Sequence, residues 1–303
     1  MAGTPFERVA VRHFPSSRLV RAWPLEGGVS AQVTAMELAD STGARHTVVV
    51  RQHGPRDLAR NPNVTAHELA LLKALYGAGL PVPEPLALDT SGDMLPSPYL
   101  IQSYIDGETI AAPRDPLTTA TTMSATLAQI HCADIPRAAV PFLEHYPDRI
   151  RRHVQHTPGE LAHLVDAERV LAVVRADWSR PARNRETILH GDYWIGNLIW
   201  EGDQLAGVVD WEDAAFGDPL ADLAIARLEL LWAFGDDALR AFTKVYAAEM
   251  SGLDTTDLPY WDLSISIRRV AHIPLWGVGP ERERAMVADA NRFIRAALRA
   301  VGS

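Results

Sequence analysis

Two short segments of this chain carry its most specific pattern: His190-Gly191-Asp192-Tyr193-Trp194-Ile195-Gly196-Asn197 and, after it, Val208-Val209-Asp210-Trp211-Glu212. Asn197 follows Asp192 by five residues, and Asp210 follows it by eighteen. The pattern places two carboxylates and one carboxamide on what we expect to be two adjoining loops. The spacing leaves room between the loops for a β-hairpin.

These side chains suit phosphoryl transfer from a magnesium-bound nucleotide. A carboxylate beside a substrate hydroxyl orients it and accepts its proton, and we predict that Asp192 is this base. Mg²⁺ prefers oxygen ligands, so Asn197 and Asp210 are predicted metal ligands. Glu212 either reaches a second metal ion or is a solvated loop acid. His190 is placed with the catalytic residues, and its predicted role is to fix the loop by hydrogen bonding.

Composition limits the remaining possibilities. The chain has 303 residues, of which 47% are apolar and 22% charged, which is typical of a globular protein with room for two lobes. A single cysteine excludes an internal disulfide and, with no signal-peptide pattern, predicts a cytoplasmic location. We expect no membrane span, because residues 220–234 are interrupted by charges. There is no basic patch with interleaved aromatic residues, so we expect no nucleic-acid partner.

The net charge of −9 is unevenly distributed. Residues 1–104 hold nine basic and nine acidic residues, so the excess of acid lies in residues 105–303, which also carry the motifs. Two interpretations stay open at this point. An acidic cleft would concentrate a cationic substrate, whereas acidic solvated faces would only keep the protein soluble.

The local patterns change near residue 105. Before it we predict helices at 5–13 and 66–76, strands at 18–23, 32–38, 46–51 and 99–104, and a polar loop at 55–62. After it we predict helices at 120–131, 159–176, 220–233, 236–250, 258–272 and 281–301, and a hairpin made of 198–200 and 205–209. The predicted class is α+β, with a small mixed β-sheet and one main helix in an N-lobe and a mostly helical C-lobe.

Over nearly its whole length the chain resembles the aminoglycoside phosphotransferase and kinase-like small-molecule kinase family, which shares the protein-kinase fold. The His-Gly-Asp-x-x-x-x-Asn and Asp-x-Glu motifs carry the resemblance. It implies a bilobal fold with a nucleotide-binding N-lobe at 1–104 and a C-lobe at 105–303 that holds the catalytic loop and acceptor-binding helices. It also implies Mg²⁺-dependent transfer of the γ-phosphate of ATP or GTP to a hydroxyl group.

The same resemblance suggests residues on the nucleotide side. Gly27 and Gly28 stand where the family places its phosphate-covering loop, in which glycines let backbone N–H groups approach the phosphates. The segment around Gln102, Ser103 and Ile105 resembles the family's hinge. Adenine would bond there to backbone groups of Ser103 and Ile105, with Gln102 flanking the pocket.

The phosphate-binding cation departs from the family's pattern. Kinases of this fold usually have a lysine on the third strand, where this chain has Arg51, and Glu68 matches the helix glutamate that pairs with it. The only two lysines are Lys73 and Lys244. Either Arg51 performs this role, or the protein binds ATP weakly or prefers another nucleotide, or it is a pseudokinase.

The motif indicates the reaction but not the acceptor. An aminoglycoside or related antibiotic is the family default, which would imply antibiotic resistance. A macrolide or a hydroxylated metabolite, such as a sugar, an amino alcohol or a homoserine-like compound, is the alternative, followed by a non-catalytic nucleotide-binding module. Candidate acceptor contacts, for which core packing is the competing interpretation, are Tyr193, Trp194, Glu229, Trp232, Trp261, His272 and Trp276.

Overall fold

The computed structural model describes residues 4–25, 31–109, 113, 115–156, 164–176 and 182–301. The chain forms two compact units. The first consists of Met1–Glu108 and Ile199–Val209, and the second of Thr109–Leu198 and Asp210–Ser303. Helices and an antiparallel sheet together confirm the α+β class. The functional division into a nucleotide-binding part, 1–104, and an acceptor-binding part, 105–303, stays a prediction.

The strands are, in chain order, β1 (Ser17–Pro24), β2 (Ala31–Asp40), β3 (Arg45–His53), β4 (Pro85–Asp89), β5 (Tyr99–Ser103), β6 (Glu144–His145), β7 (Thr187–Leu189), β8 (Leu198–Glu201), β9 (Gln204–Val208) and β10 (Ala215–Gly217). The α-helices are α1 (Pro5–His13), α2 (Pro55–Arg60), α3 (Val64–Gly77), α4 (Pro116–Cys132), α5 (Tyr146–His156), α6 (Ala167–Ala176), α7 (Leu220–Phe234), α8 (Asp236–Glu249), α9 (Leu258–His272) and α10 (Pro280–Val301). Among the described residues, none of these helices has the length and apolar content that a membrane span requires.

The first unit is built on a five-stranded sheet of order β1-β2-β3-β5-β4. All its neighbouring pairs are antiparallel, so the sheet is not mixed in strand direction. Helix α1 begins at a capping box, in which Thr4 and Glu7 each bond the other's backbone N–H. Its buried Val9 joins a core cluster that also contains residues of β2, β3 and β5.

The alternation of side chains along β3 gives its two faces different roles. Val48 and Val50 belong to the apolar cluster that α1 covers. Arg51 and His53 are also buried, and both contact Glu68 of α3. The strand therefore contributes core packing on one face and a buried charged group on the other.

The second unit is mostly helical. Eleven of the 15 residues of α7 are buried, because the helix packs against α8, α9 and α10. A short sheet of order β6-β10-β7 lies in the same unit. The His190 segment follows directly after β7, and α7 follows shortly after β10. This sheet therefore positions both the start of the His190 segment and the start of α7.

Several regions differ from the sequence predictions. Residues 55–62, predicted as a polar loop, contain α2, which follows Gly54 with Pro55 at its first position and Asp57 in its first turn. Strand β4 and helix α5 were not predicted, since prolines and charges obscure their apolar patterns. The predicted helix at 159–176 is observed from Ala167 onward, and part of its first half lies outside the described residues.

Candidate functional site

The His190–Asn197 loop begins with a sharp turn at Gly191. Gly191 has a φ of +79°, in the left-handed region that favours glycine. Its backbone lies so close to the carbonyl of Asp213 that a Cβ would not fit. The loop and the segment that follows Asp210 are therefore in direct backbone contact.

Asp222, at the start of α7, anchors this loop. Its fully buried carboxylate accepts hydrogen bonds from the backbone N–H of His190 at 2.6 Å and of Gly191 at 2.9 Å. His131 of α4 contacts the same carboxylate at 3.2 Å. Burial alone would raise the pKa of Asp222, but His131, His190 and the N–H of Gly191 together lower it. Asp222 therefore holds the backbone of His190 and Gly191 in place.

His190 is enclosed within the loop. Its side chain is fully buried, its ring lies 4.6 Å from the Trp211 ring between centroids, and its Nδ1 accepts a hydrogen bond from the backbone N–H of Asp192 at 3.3 Å. These contacts support the predicted loop-fixing role. A direct part in catalysis stays a prediction.

Asp192 is held at both carboxylate oxygens. Nδ2 of Asn197 donates to Oδ2 of Asp192 at 3.1 Å and to its backbone carbonyl at 2.9 Å. Nη2 of Arg269 donates to Oδ1. The predicted base and one predicted metal ligand are thus joined, and the carboxylate is fixed in orientation.

Arg269, on α9, was not predicted from the sequence, because a buried arginine far along the chain has no spacing signal. Nη1 of Arg269 lies 3.2 Å from Oε1 of Glu229, on α7. Burial alone would lower the pKa of Arg269, but the negative charges of Glu229 and Asp192 outweigh burial and raise the pKa above its usual value. Burial raises the pKa of Glu229 to about 7, Arg269 opposes this rise, and Asp192 adds to it.

The segment after β9 carries the other predicted metal ligands. Asp210 is half-buried and has φ +65° and ψ 61°, a left-handed conformation that is unusual for a residue other than glycine. Glu212 is exposed in the short 3₁₀ turn Trp211–Asp213. Asp213, the next residue, accepts a hydrogen bond from Arg268 at 2.8 Å. The left-handed backbone at Asp210 and the bond from Arg268 to Asp213 therefore fix the path of this loop within the second unit.

Arg149 of α5 secures the same loop. Its Nη1 donates to the Asp213 carbonyl at 2.6 Å, and its Nη2 donates to the Ala214 carbonyl at 3.2 Å. Burial would raise the pKa of Asp213, but Arg268 and Arg149 outweigh it and lower the pKa. The supporting role of Arg149 was not predicted from the sequence either.

In the first unit, Arg51 and Glu68 lie together. Nε of Arg51 is 3.1 Å from Oε1 of Glu68, and Nε2 of His53 is 2.6 Å from Oε2. Burial alone would raise the pKa of Glu68, but Arg51 and His53 lower it below its usual value. The predicted pairing partner of Arg51 is therefore in place, and His53 is an unpredicted third member.

The predicted hinge residues lie at the end of β5. Gln102 pairs with Val49 in the sheet, and the N–H of Ser103 donates to the Glu84 carbonyl at 2.9 Å. That N–H is therefore engaged within the first unit, and the contacts of Ser103 and Ile105 with adenine stay predictions. The side chain of Ile105 packs closely on Gly207 of β9. Gly27 and Gly28 lie outside the described residues.

The aromatic acceptor candidates divide into two groups. Three of them are core residues. Tyr193 is buried and donates to the Met123 carbonyl, and Trp232 is buried and donates to the Met286 carbonyl. Trp261 is also buried. Trp194 and Trp276 are each 38% exposed, so only they present an open aromatic surface. The other two candidates are polar: Nδ1 of His272 contacts the Arg268 carbonyl at 2.7 Å, and Glu229 pairs with Arg269.

A family model described as the phosphotransferase enzyme family matches residues 23–259. Acyl-CoA dehydrogenase family member 11 of Gallus gallus is 29% identical over 202 residues, which is 63% of this chain and 26% of that protein. Homoserine kinase of Methylocella silvestris is 29% identical over 167 residues, 52% of this chain and 50% of that protein. The matched part spans only a fifth to a quarter of the acyl-CoA dehydrogenase relatives.

Solved structures share the architecture. A ternary complex of an aminoglycoside phosphotransferase with AMP-PNP and hygromycin B superposes with a TM-score of 0.64 at 17% identity, covering 99% of this chain and 100% of the other. A macrolide 2′-phosphotransferase from Brachybacterium faecium gives 0.62 at 18% identity, covering 94% and 97%. At these identities the likeness shows the fold alone, and it confirms the predicted kinase-like phosphotransferase fold.

Proposed function

Because this chain belongs to the phosphotransferase enzyme family, we propose that it transfers the γ-phosphoryl group of ATP or GTP, with Mg²⁺, to a hydroxyl group of a small molecule. One observation carries the proposal. Asp192 and Asn197 are hydrogen-bonded to each other in a loop that the buried Asp222 anchors. A base and a metal ligand held in one rigid loop are what phosphoryl transfer requires.

Asp192 acts as the base in this proposal. It holds the acceptor hydroxyl and takes its proton as the hydroxyl oxygen bonds to the γ-phosphorus. The bond between that phosphorus and the β–γ bridging oxygen breaks, and its electron pair leaves with the nucleoside diphosphate. The remaining lone pairs of the Asp192 oxygens can accept the hydroxyl, because each oxygen has about two lone pairs.

Asn197 fits a role as magnesium ligand. Its Nδ2 is the donor in both hydrogen bonds that its side chain makes to oxygens of Asp192, which turns its carbonyl oxygen away from them. An amide oxygen and the Asp210 carboxylate are suitable donors for a hard cation. Bound Mg²⁺ would neutralise charge on the phosphates. Glu212 is exposed and is proposed as a ligand to a second ion.

On the nucleotide side, we assign phosphate neutralisation to Arg51. Arg51 lies on β3 and pairs with Glu68, which His53 also contacts, and a guanidinium can bind phosphate oxygens in a bidentate manner. Gln102, Ser103 and Ile105 are proposed to contact the base of the nucleotide, and Gly27 and Gly28 its phosphates. These assignments apply equally to ATP and GTP.

The first candidate acceptor is an aminoglycoside or related antibiotic, which is the substrate named for several proteins of the same fold. A hydroxylated metabolite is the second candidate. Two ion pairs favour this second class of acceptor: Glu229 pairs with Arg269, and Asp213 pairs with Arg268. Because arginines already engage these carboxylates, they are not open to the amino groups of an aminoglycoside. The homoserine kinase relative belongs to the second class.

The proposal is tested by acceptor-dependent release of ADP and GDP. The panel contains aminoglycosides, hygromycin-like compounds, macrolides, sugars, amino alcohols and homoserine. Asp192→Asn should abolish turnover and preserve nucleotide binding, whereas Asp203→Asn, at an exposed hairpin turn, should change neither. Full activity of Asp192→Asn would remove Asp192 as the base. Magnesium-dependent nucleotide binding without turnover on any acceptor would favour a non-catalytic nucleotide-binding module.

A further inference from the structure

The guanidinium of Arg269 joins two carboxylates from different elements. Nη2 donates to Oδ1 of Asp192, and Nη1 lies 3.2 Å from Oε1 of Glu229. The side chains of Arg269 and Glu229 are only 11% and 14% exposed, whereas that of Asp192 is 26% exposed. The arginine is thus enclosed, and the open end of the group is the carboxylate of the proposed base.

The contacts define the plane of the Asp192 carboxylate. Asn197 bonds Oδ2 and Arg269 bonds Oδ1, so the carboxylate cannot rotate without breaking one of the two contacts. A base works only when a lone pair is aligned with the hydroxyl proton, and small displacements of reacting groups reduce rates strongly. Anchoring both oxygens therefore favours one reactive orientation.

Glu229 holds the far side of the arginine. It lies on α7, the helix whose first turn contains Asp222, and Arg269 lies on α9. When Glu229 is ionised, it gives the guanidinium a counter-ion at Nη1 even while Asp192 carries the proton of the acceptor. A buried arginine without any counter-ion would be unfavourable.

We propose that Arg269 is the positioning residue of Asp192, and that Glu229 holds Arg269 in the orientation this requires. This inference rests on the proposed phosphotransferase function and extends it to two residues on the acceptor side. A lysine cannot replace the arginine, because an ammonium group is a single point charge and cannot span two carboxylates as a planar guanidinium does.

The kinetic test compares Arg269→Met, Arg269→Lys and Glu229→Gln with the parent protein. We expect Arg269→Met to lower kcat about 100-fold, with KM for the nucleotide unchanged within about twofold. Arg269→Lys should recover little of the loss. Glu229→Gln should lower kcat about tenfold in the parent and hardly at all in Arg269→Met, because it acts through the arginine.

A matched control is Arg227→Met. Arg227 forms a similarly buried pair with Asp262 in the same unit, at 3.1 Å for both nitrogen–oxygen contacts. Its removal should reduce stability and leave kcat per folded molecule within about twofold. In addition, guanidinium ion should partly restore the kcat of Arg269→Ala, and urea, which is neutral and similar in shape, should not.

A second measurement needs no acceptor. A guanidinium held at both ends rotates slowly about its Cζ–Nε bond, so Arg269 should give separate Nη1 and Nη2 signals in nitrogen NMR spectra. The signals should merge in Asp192→Ala and in Glu229→Ala. Averaged signals in the parent protein would overturn the inference.

The outcomes separate this inference from the function on which it rests. If Asp192→Asn is inactive but Arg269→Met keeps kcat within about threefold of the parent, the positioning role is wrong and the phosphotransferase proposal stands. If Asp192→Asn is fully active, the base assignment fails. If the parent transfers phosphate to no acceptor, the NMR result still decides whether Arg269 is held by both carboxylates.

Discussion

Gly191 and Asp213 are in backbone contact: a Cβ at position 191 would clash with the Asp213 carbonyl oxygen. This contact joins the loop of the proposed base to the loop that follows Asp210. Because the obstructing atom belongs to the backbone and Arg149 holds it, the neighbour cannot move aside easily. The two loops therefore keep their arrangement only with glycine at this position.

Gly191→Ala should accordingly reduce both stability and activity. The left-handed φ alone costs about 1 kcal/mol, and the clash adds about 2 kcal/mol or more. Gly202→Ala is the matched control, since Gly202 has a φ of +61° and a Cβ there would meet open space. Chemical denaturation measures both variants. Equal losses would show that the contact with Asp213 is unimportant.

Arg51→Ala should weaken nucleotide binding and also destabilise the first unit. Loss of Arg51 leaves the buried Glu68 with His53 alone, which we expect to cost about 3 kcal/mol. Arg51→Ala/Glu68→Ala should recover part of that stability while nucleotide affinity remains lowered about tenfold or more. Calorimetric titration with Mg-ATP and Mg-GTP measures the affinity. Parent-like affinity in both variants would remove Arg51 from the site.

Asp222→Asn should disrupt the catalytic loop. The carboxylate accepts from two backbone N–H groups, and an amide would present an NH₂ group to one of them. We expect a loss of about 3 kcal/mol in the free energy of unfolding, together with a large decrease in kcat. Asp218→Asn, at a buried aspartate that accepts from Leu220 and Asn184, should lose stability and keep kcat per folded molecule. Similar kcat losses in both variants would contradict a specific role for Asp222.

The pKa of Glu229 predicts a pH dependence of stability. Its folded-state pKa of about 7 exceeds the unfolded value, so between roughly pH 4.5 and pH 7 the folded state binds more protons. Stability contributed by this group is present below that window and decreases as pH rises through it, by an amount on the order of 3 kcal/mol. Glu229→Gln should flatten the curve of unfolding free energy against pH. Glu249→Gln, at an exposed glutamate, controls for the loss of one acidic group.

Asn197→Ala should raise the Mg²⁺ concentration that gives half-maximal activity. The variant removes the proposed amide ligand and also frees Oδ2 of Asp192. We expect a shift of about tenfold or more, in line with a lost oxygen ligand. A titration of initial rate against Mg²⁺ at fixed nucleotide measures it. An unchanged midpoint with reduced kcat would assign Asn197 to positioning of Asp192 alone.

Much of the fold could be predicted from local patterns. Helix α1 agrees with the prediction for 5–13, and the strands at 46–51 and 99–104 lie within or along β3 and β5. These elements have strong periodicity and clear end signals, which act over a few residues. The short strands β6, β7 and β10 were not predicted, because two or three residues carry no period and depend on pairing with distant segments.

For the candidate site, the chain order of residues predicted the chemistry, because Asp192, Asn197 and Asp210 lie at the fixed spacing of two loops around a hairpin. The resemblance to the family also made Arg51 a candidate for the place of the usual lysine, with Glu68 as its partner, and these two side chains do lie together. The order of motifs along the chain and the resemblance supplied these candidates, so no tertiary contact was needed to name them. The motif therefore sufficed for the class of reaction.

The surroundings of Asp192 depend on tertiary packing. Arg269 is 77 residues from Asp192 and reaches it only because α9 packs against α7 within the second unit. Likewise, His53 joins the Arg51–Glu68 pair because β3 alternates its side chains against α3. Burial removes water from these charges, so each needs a partner from another element, and which partner it finds follows from the packing of helices and strands.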